Sequence, residues 1–75
     1  MRELVEYMAT SLVENPSKVR VRELRSGNTV VLELRVAQSD MGRVIGKDGR
    51  VANAMRALLK VAAAKRGKRV NLEIG

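Results

Sequence analysis

This 75-residue sequence predicts a two-layer α/β sandwich in the order α-β-β-α-α-β. Three observations carry that reading. Apolar residues recur at helical spacing near the N-terminus and again over residues 50–66. They alternate with polar residues in three shorter stretches, the pattern of strands with one covered face. A tight turn joins the first two strands, whereas a double-helical segment separates the second from the third. The turn makes the first pair antiparallel. The crossover, right-handed by rule, makes the second pair parallel. A three-stranded mixed sheet with helices on one face follows, and residues 1–75 form one domain.

In the first helix, over residues 2–14, Leu4, Met8 and Leu12 recur with Val5 beside them as one covered stripe. Asn15-Pro16 ends it, because the residue before proline is pushed out of the α region. Lys18–Arg25 alternates Val19 and Val21 with basic residues and reads as a strand. Ser26-Gly27-Asn28 is a hairpin turn signal. Thr29–Val36 is the clearer strand, with Val30, Leu32, Leu34 and Val36 on one face. Ser39 and Asp40 both suit capping of a short helix over about residues 40–45. Arg50–Arg66 is the longest helical pattern, with Val51, Met55, Leu58, Leu59 and Ala62 as its buried face. Five further alanines strengthen its helicity, and Met8 and Met55 read as core. Lys65 and Arg66 suit its C-terminal dipole, and Gly67 suits the position just past it. Val70, Leu72 and Ile74 alternate as the last strand.

Composition excludes several function classes. A chain this short buries only about 60% of its unfolded surface, so its core is modest and no large enclosed active site fits. It has no cysteine and no histidine. Disulfides, a zinc centre, histidine acid–base catalysis and a Cys–His pair are therefore not expected. The carboxylates Glu3, Glu6, Glu14, Glu23, Glu33 and Glu73 scatter over predicted surfaces, so an enzyme is not expected, and neither is a cofactor or metal. Charged residues interrupt the N-terminal helix, which lacks the apolar run of a signal peptide, and no stretch approaches a membrane span. A cytoplasmic location is the default expectation.

Charge and glycine placement point to a polyanion. Residues 1–40 carry six basic and six acidic side chains, whereas residues 41–75 carry nine basic and two acidic ones. The whole net charge of +7 thus belongs to the second half, as expected of a small domain that meets nucleic acid. A merely solubilising surface is the alternative. Between the short and long helices runs Arg43-Val44-Ile45-Gly46-Lys47-Asp48-Gly49-Arg50. Glycine permits positive φ and leaves no side chain between backbone and ligand. Lys47 places a positive charge at the tip, and the amides at the start of the long helix favour an anion. Asn53, Arg56 and Lys60 share another side of that helix.

This stretch, in this element order, resembles the type II KH domain, with Gly46 to Gly49 as its G-x-x-G signature. The resemblance covers nearly the whole chain and is similar in length to the KhpA family of small, single-KH-domain bacterial RNA-binding proteins. It implies binding of single-stranded RNA, with the loop clamping the backbone of about four nucleotides. On that resemblance Gly46 and Gly49 let the backbone touch phosphates, Lys47 supplies charge and Asp48 sits at the tip. Val44 and Ile45 help line an apolar groove beneath the bases, part core and part groove, with the neighbouring sheet edge as the other wall. Arg43, Arg50, Asn53 and Arg56 extend the site. The resemblance further implies a homodimer, or a heterodimer with a larger multidomain KhpB-like KH protein. It also implies a role as post-transcriptional regulator or RNA chaperone linked to cell elongation and envelope growth.

Other readings of the same residues stay open. Gly46 and Gly49 would also suit a tight helix–helix turn. Lys65, Arg66, Lys68 and Arg69 suit either a second phosphate-contacting patch or a solubilising one. Gly42 to Lys47 is one residue short of a Walker A loop, with Asp48 where a hydroxyl residue belongs, which argues against nucleotide hydrolysis. A helix-turn-helix reader of duplex DNA fits the short and long helices but not the three strands. A dimerising adaptor for which RNA is secondary is the main rival.

Overall fold

The structure is a computed structural model describing residues 1–75. Its elements are α1 (Arg2–Leu12), β1 (Arg20–Ser26), β2 (Thr29–Arg35), α2 (Met41–Ile45), α3 (Arg50–Lys65) and β3 (Arg69–Ile74), the predicted order. Single 3-10 turns occupy Pro16–Lys18, Gln38–Asp40 and Lys47–Gly49. The sheet order is β1-β2-β3, so β3 is an edge strand. β1 pairs antiparallel with β2 from Arg20↔Arg35 to Ser26↔Thr29, and β2 pairs parallel with β3 from Thr29↔Arg69 to Leu34↔Ile74. No helix is long and apolar enough to cross a membrane.

The alternation in β2 turns Val30, Leu32 and Leu34 to the helices. They join Leu72 from β3, Val5 and Ala9 from α1, Val44 from α2, and Met55 and Leu59 from α3 in one core. Burying such aliphatic side chains stabilises by about 1.5–3 kcal/mol each, which is why the alternation specifies which way the sheet faces.

Three expectations shift. The first strand starts at Arg20, because Pro16–Lys18 makes a 3-10 turn in which Lys18 N–H donates to Asn15 O at 3.0 Å and Val19 N–H to Pro16 O at 3.1 Å. On α1 the buried positions are Val5 and Ala9, while Leu12 is exposed. The covered lane of α3 is Ala52, Met55, Leu59 and Ala63, which leaves Leu58 out at 55% exposure. Leu58's lane and the covered one share Met55 and lie one residue apart, about 100° around the helix. The small side chains of Ala52 and Ala63 let the helix sit close to its neighbours, so Leu58 is turned away.

Asp40 is also placed differently. No side-chain bond from Ser39 or Asp40 caps α2. Asp40 is instead buried, 1% exposed, and points back to the end of α1. Its Oδ1 accepts Glu14 N–H at 3.1 Å, and its Oδ2 accepts Asn15 N–H at 3.1 Å and Asn15 Nδ2 at 3.3 Å. Those two amides lie beyond the helix, just before Pro16, where no helical acceptor reaches them. Asp40 thereby ties the end of α1 to the start of α2.

Candidate nucleic-acid interface

α2 stops at Ile45 because the chain turns through positive φ at Gly46 (φ 75°, ψ 173°), Asp48 (φ 56°, ψ 25°) and Gly49 (φ 76°, ψ 14°). Asp48 is the only residue other than glycine with positive φ, and aspartate is among the types that tolerate that region. At Gly46 the need for glycine is also steric. A Cβ there would lie 2.5 Å from Val51 Cγ2 and 2.9 Å from the Val51 amide nitrogen.

The bonding leaves the tip open. Gly46 N–H donates to Gly42 O at 2.8 Å and Gly49 N–H to Gly46 O at 3.2 Å. Lys47 and Asp48 lie exposed at the tip between the two glycines. α3 starts at Arg50, and Gly49 before it offers no side-chain cap, so its first turn faces the same loop. Lys47 and Arg50 are exposed and form no ion pair.

From the loop a polar line runs along α3 into a groove. Asn53 lies one turn beyond Gly49, its Nδ2 3.7 Å from where a Gly49 Cβ would be. Asn53 Oδ1 accepts Arg56 Nη1 at 3.3 Å. Arg56 then crosses to the sheet, where Nε and Nη2 donate to Leu72 O at 3.3 and 3.1 Å. Beyond it a groove of about 540 Å³ lies between α3 and β3. Buried Leu59, Ala63 and Leu72 make its floor. Arg56, Lys60, Lys68 and Arg69 are its charged residues, and no acid lines it. A concave, low-dielectric groove of one charge sign concentrates potential.

Residues 2–74 match the family model described as KhpA/KhpB, KH domain. The chain belongs to this KH-domain family. It is 51% identical over 74 residues to RNA-binding protein KhpA of Caldanaerobacter subterraneus subsp. tengcongensis, covering 99% of each chain. It is 50% identical to those of Clostridium acetobutylicum, again 99% of each, and of Aquifex aeolicus, 99% of this chain and 94% of the relative. In fold it is similar to a crystal structure of Era in complex with MgGDPNP and nucleotides 1506–1542 of 16S ribosomal RNA. The TM-score there is 0.60 at 24% identity, covering 97% of this chain but only 28% of that one.

The KH domain brings together Gly46, Lys47, Asp48, Gly49, Arg50, Asn53 and Arg56 along the loop and one side of α3. Ile45 is beside them at 37% exposure. Val44 is entirely buried and belongs to the core rather than to a groove wall. Arg43 is drawn the other way, paired with Glu14 and, at 3.4 Å, with Asp40. Sequence reasoning left out the Leu72 carbonyl, a backbone group with no side-chain signature. It also left Lys68 and Arg69 open, and both line the groove.

Proposed function

We propose that this KH domain binds single-stranded RNA, with the loop from Gly46 to Gly49 on the sugar–phosphate backbone and the bases along the α3–β3 groove. The observation that carries this reading is the exposed tip at Lys47 and Asp48, set between two positive-φ glycines and bearing an unpaired ammonium. Phosphate oxygens accept from backbone amides and ammonium groups at such a tip, and the start of α3 adds its dipole. Arg50 reinforces that charge. Asn53 and Arg56 lead from the loop to the bases, while Val44 and Arg43 hold the frame from behind. Phosphates are alike in every nucleotide, so the loop positions the strand and the groove does any reading of bases. Tyr7, the sole aromatic residue, is on α1, so bases are held by apolar contact and hydrogen bonds rather than by a stacking platform.

Substitution of Lys47 by aspartate tests this. The side chain is exposed and unpaired, so the melting temperature should hardly move while binding of single-stranded RNA is lost. A variant that binds RNA as well as the parent removes the loop from the proposal. Amide resonances of Gly46 to Arg50 that stay unmoved on RNA titration would do the same. In the cell this reading corresponds to a cytoplasmic post-transcriptional regulator or RNA chaperone bearing on elongation and envelope growth. Crosslinking and sequencing of bound RNA tests that role.

A second reading, a dimerising adaptor, is favoured by a different surface. Tyr7, Leu58 and Val61 are 73%, 55% and 58% exposed. A shallow, almost wholly apolar groove of about 340 Å³ between α1 and α3 involves Tyr7, Leu12 and Leu58. At 100° per residue, Leu58 lies about 160° from both Arg56 and Lys60 on α3. A second copy, or a larger KhpB-like partner, can therefore cover this side while RNA occupies the other.

A further inference from the structure

We infer that Arg56 is a specificity-determining residue, selecting a base with two neighbouring acceptors on one edge: cytosine through O2 and N3, or guanine through O6 and N7. The inference rests on the reading that the α3–β3 groove holds bases, and concerns which bases it holds.

A guanidinium has five N–H donors and no acceptor. In Arg56, Nε and one Nη2 hydrogen go to Leu72 O, and one Nη1 hydrogen goes to Asn53 Oδ1. One N–H on each terminal nitrogen remains, on a planar group held at three points at the mouth of the groove. Holding the fork removes its rotational freedom in advance, which is what makes a paired contact selective. Two donors side by side match two acceptors side by side. Guanine offers O6 and N7 together, whereas adenine sets its N6 amino donor beside N7. Uracil separates its two oxygens by the N3–H donor.

The sheet edge sharpens the choice. Arg69 N–H donates to Asn28 O at 2.8 Å and Gly75 N–H to Leu34 O at 3.1 Å, both toward β2. By strand alternation Val70, Leu72 and Ile74 turn their backbone groups to the free edge. The Leu72 carbonyl would there accept an amino group such as adenine N6, but Arg56 already occupies it. The same side chain thus presents a donor pair and removes an acceptor. Both effects disfavour adenine.

The test measures binding of a short oligouridine and of its variants with one central cytosine, guanine or adenine, to the parent and to Arg56→Lys. Lysine keeps the charge but cannot present a planar pair. The parent should bind the cytosine or the guanine RNA roughly tenfold more tightly than the uridine and adenine RNAs, the scale of one good bidentate contact. Arg56→Lys should level that preference, improve adenine relative to the others, and leave the salt dependence unchanged. If guanine is the preferred base, 7-deazaguanine should lose the advantage. Independently of any variant, the Arg56 Nε–H resonance should move on adding the preferred RNA and stay put with oligouridine. A parent that binds all four RNAs equally overturns the inference while leaving RNA binding intact. Preference retained in Arg56→Lys also overturns it. Failure of the parent to bind any RNA overturns the proposed function itself.

Discussion

The two glycines of the loop should not be equivalent, and Gly46→Ala against Gly49→Ala measures the difference. At Gly46, φ 75° with ψ 173° is a region essentially reserved for glycine, and strain there is about 1–3 kcal/mol. The added Cβ would also lie 2.5 Å from Val51 Cγ2 and 2.9 Å from both Val51 Cβ and its amide nitrogen. Backbone at the start of α3 cannot retreat as a side-chain tip can, and overpacking of this kind costs about 1–3 kcal/mol. At Gly49 the conformation is left-handed helical, φ 76° and ψ 14°, and the nearest atom to a new Cβ is Asn53 Nδ2 at 3.7 Å. There only the conformational term of about 1–2 kcal/mol applies. Each alanine also restricts the unfolded chain, which returns about 0.4–1 kcal/mol. The net loss is roughly 3 kcal/mol at Gly46 and roughly 1 kcal/mol at Gly49. For a domain of this size that is a fall in Tm of about 12–24 °C against about 4–8 °C. Thermal unfolding followed by circular dichroism reads both. Equal losses, or a larger loss at Gly49, would refute the argument that close approach to Val51 is what reserves position 46 for glycine.

Asp40 makes stability depend on acid. The Glu14 N–H bond first, then the Asn15 backbone and side-chain donors and Arg43, hold its carboxyl below the ordinary 3.8 against the opposing effect of burial. A lowered folded value means stabilisation present above 3.8 and lost as the pH falls below it. The melting temperature of Asp40→Asn should therefore be lower than the parent's near neutrality and flatter across that acid range. If RNA contacts about four phosphates, log affinity should fall against log salt with a slope of roughly −3, and a slope near zero would remove phosphate contact from the account. Leu58→Asp should abolish self-association in sedimentation while changing RNA affinity per chain less than about twofold, since exposed sites that share no partners act independently. Association that survives the substitution moves the contact elsewhere.

Much of the fold was legible because its signals are local. The alternation from Val30 to Leu34 can bury only one face, and Asn15-Pro16 and Gly27 break the chain wherever they occur. The glycine loop was legible for the same reason, since positive φ at Gly46 and Gly49 is a property of single residues. The covered lane of α3 was legible only in part, through Met55 and Leu59. Val51, Met55, Leu58 and Ala62 make as good a stripe as Ala52, Met55, Leu59 and Ala63, and hydrophobicity does not separate lanes one residue apart. Asp40 carried a misleading signal, because a carboxylate at a helix start ordinarily caps that helix.

The order of elements, the facing of the central strand, the bare loop and the concentration of charge in the second half were thus determined by the sequence alone. Each depends on residues within a few positions of one another. The tertiary structure decided how far α3 rolls on the sheet, and with it that Leu58 faces outward and Arg56 reaches the Leu72 carbonyl. It also decided that Asp40 and Arg43 are used up in holding α1 against α2. Those outcomes depend on distances between residues far apart in the chain, and packing alone sets such distances.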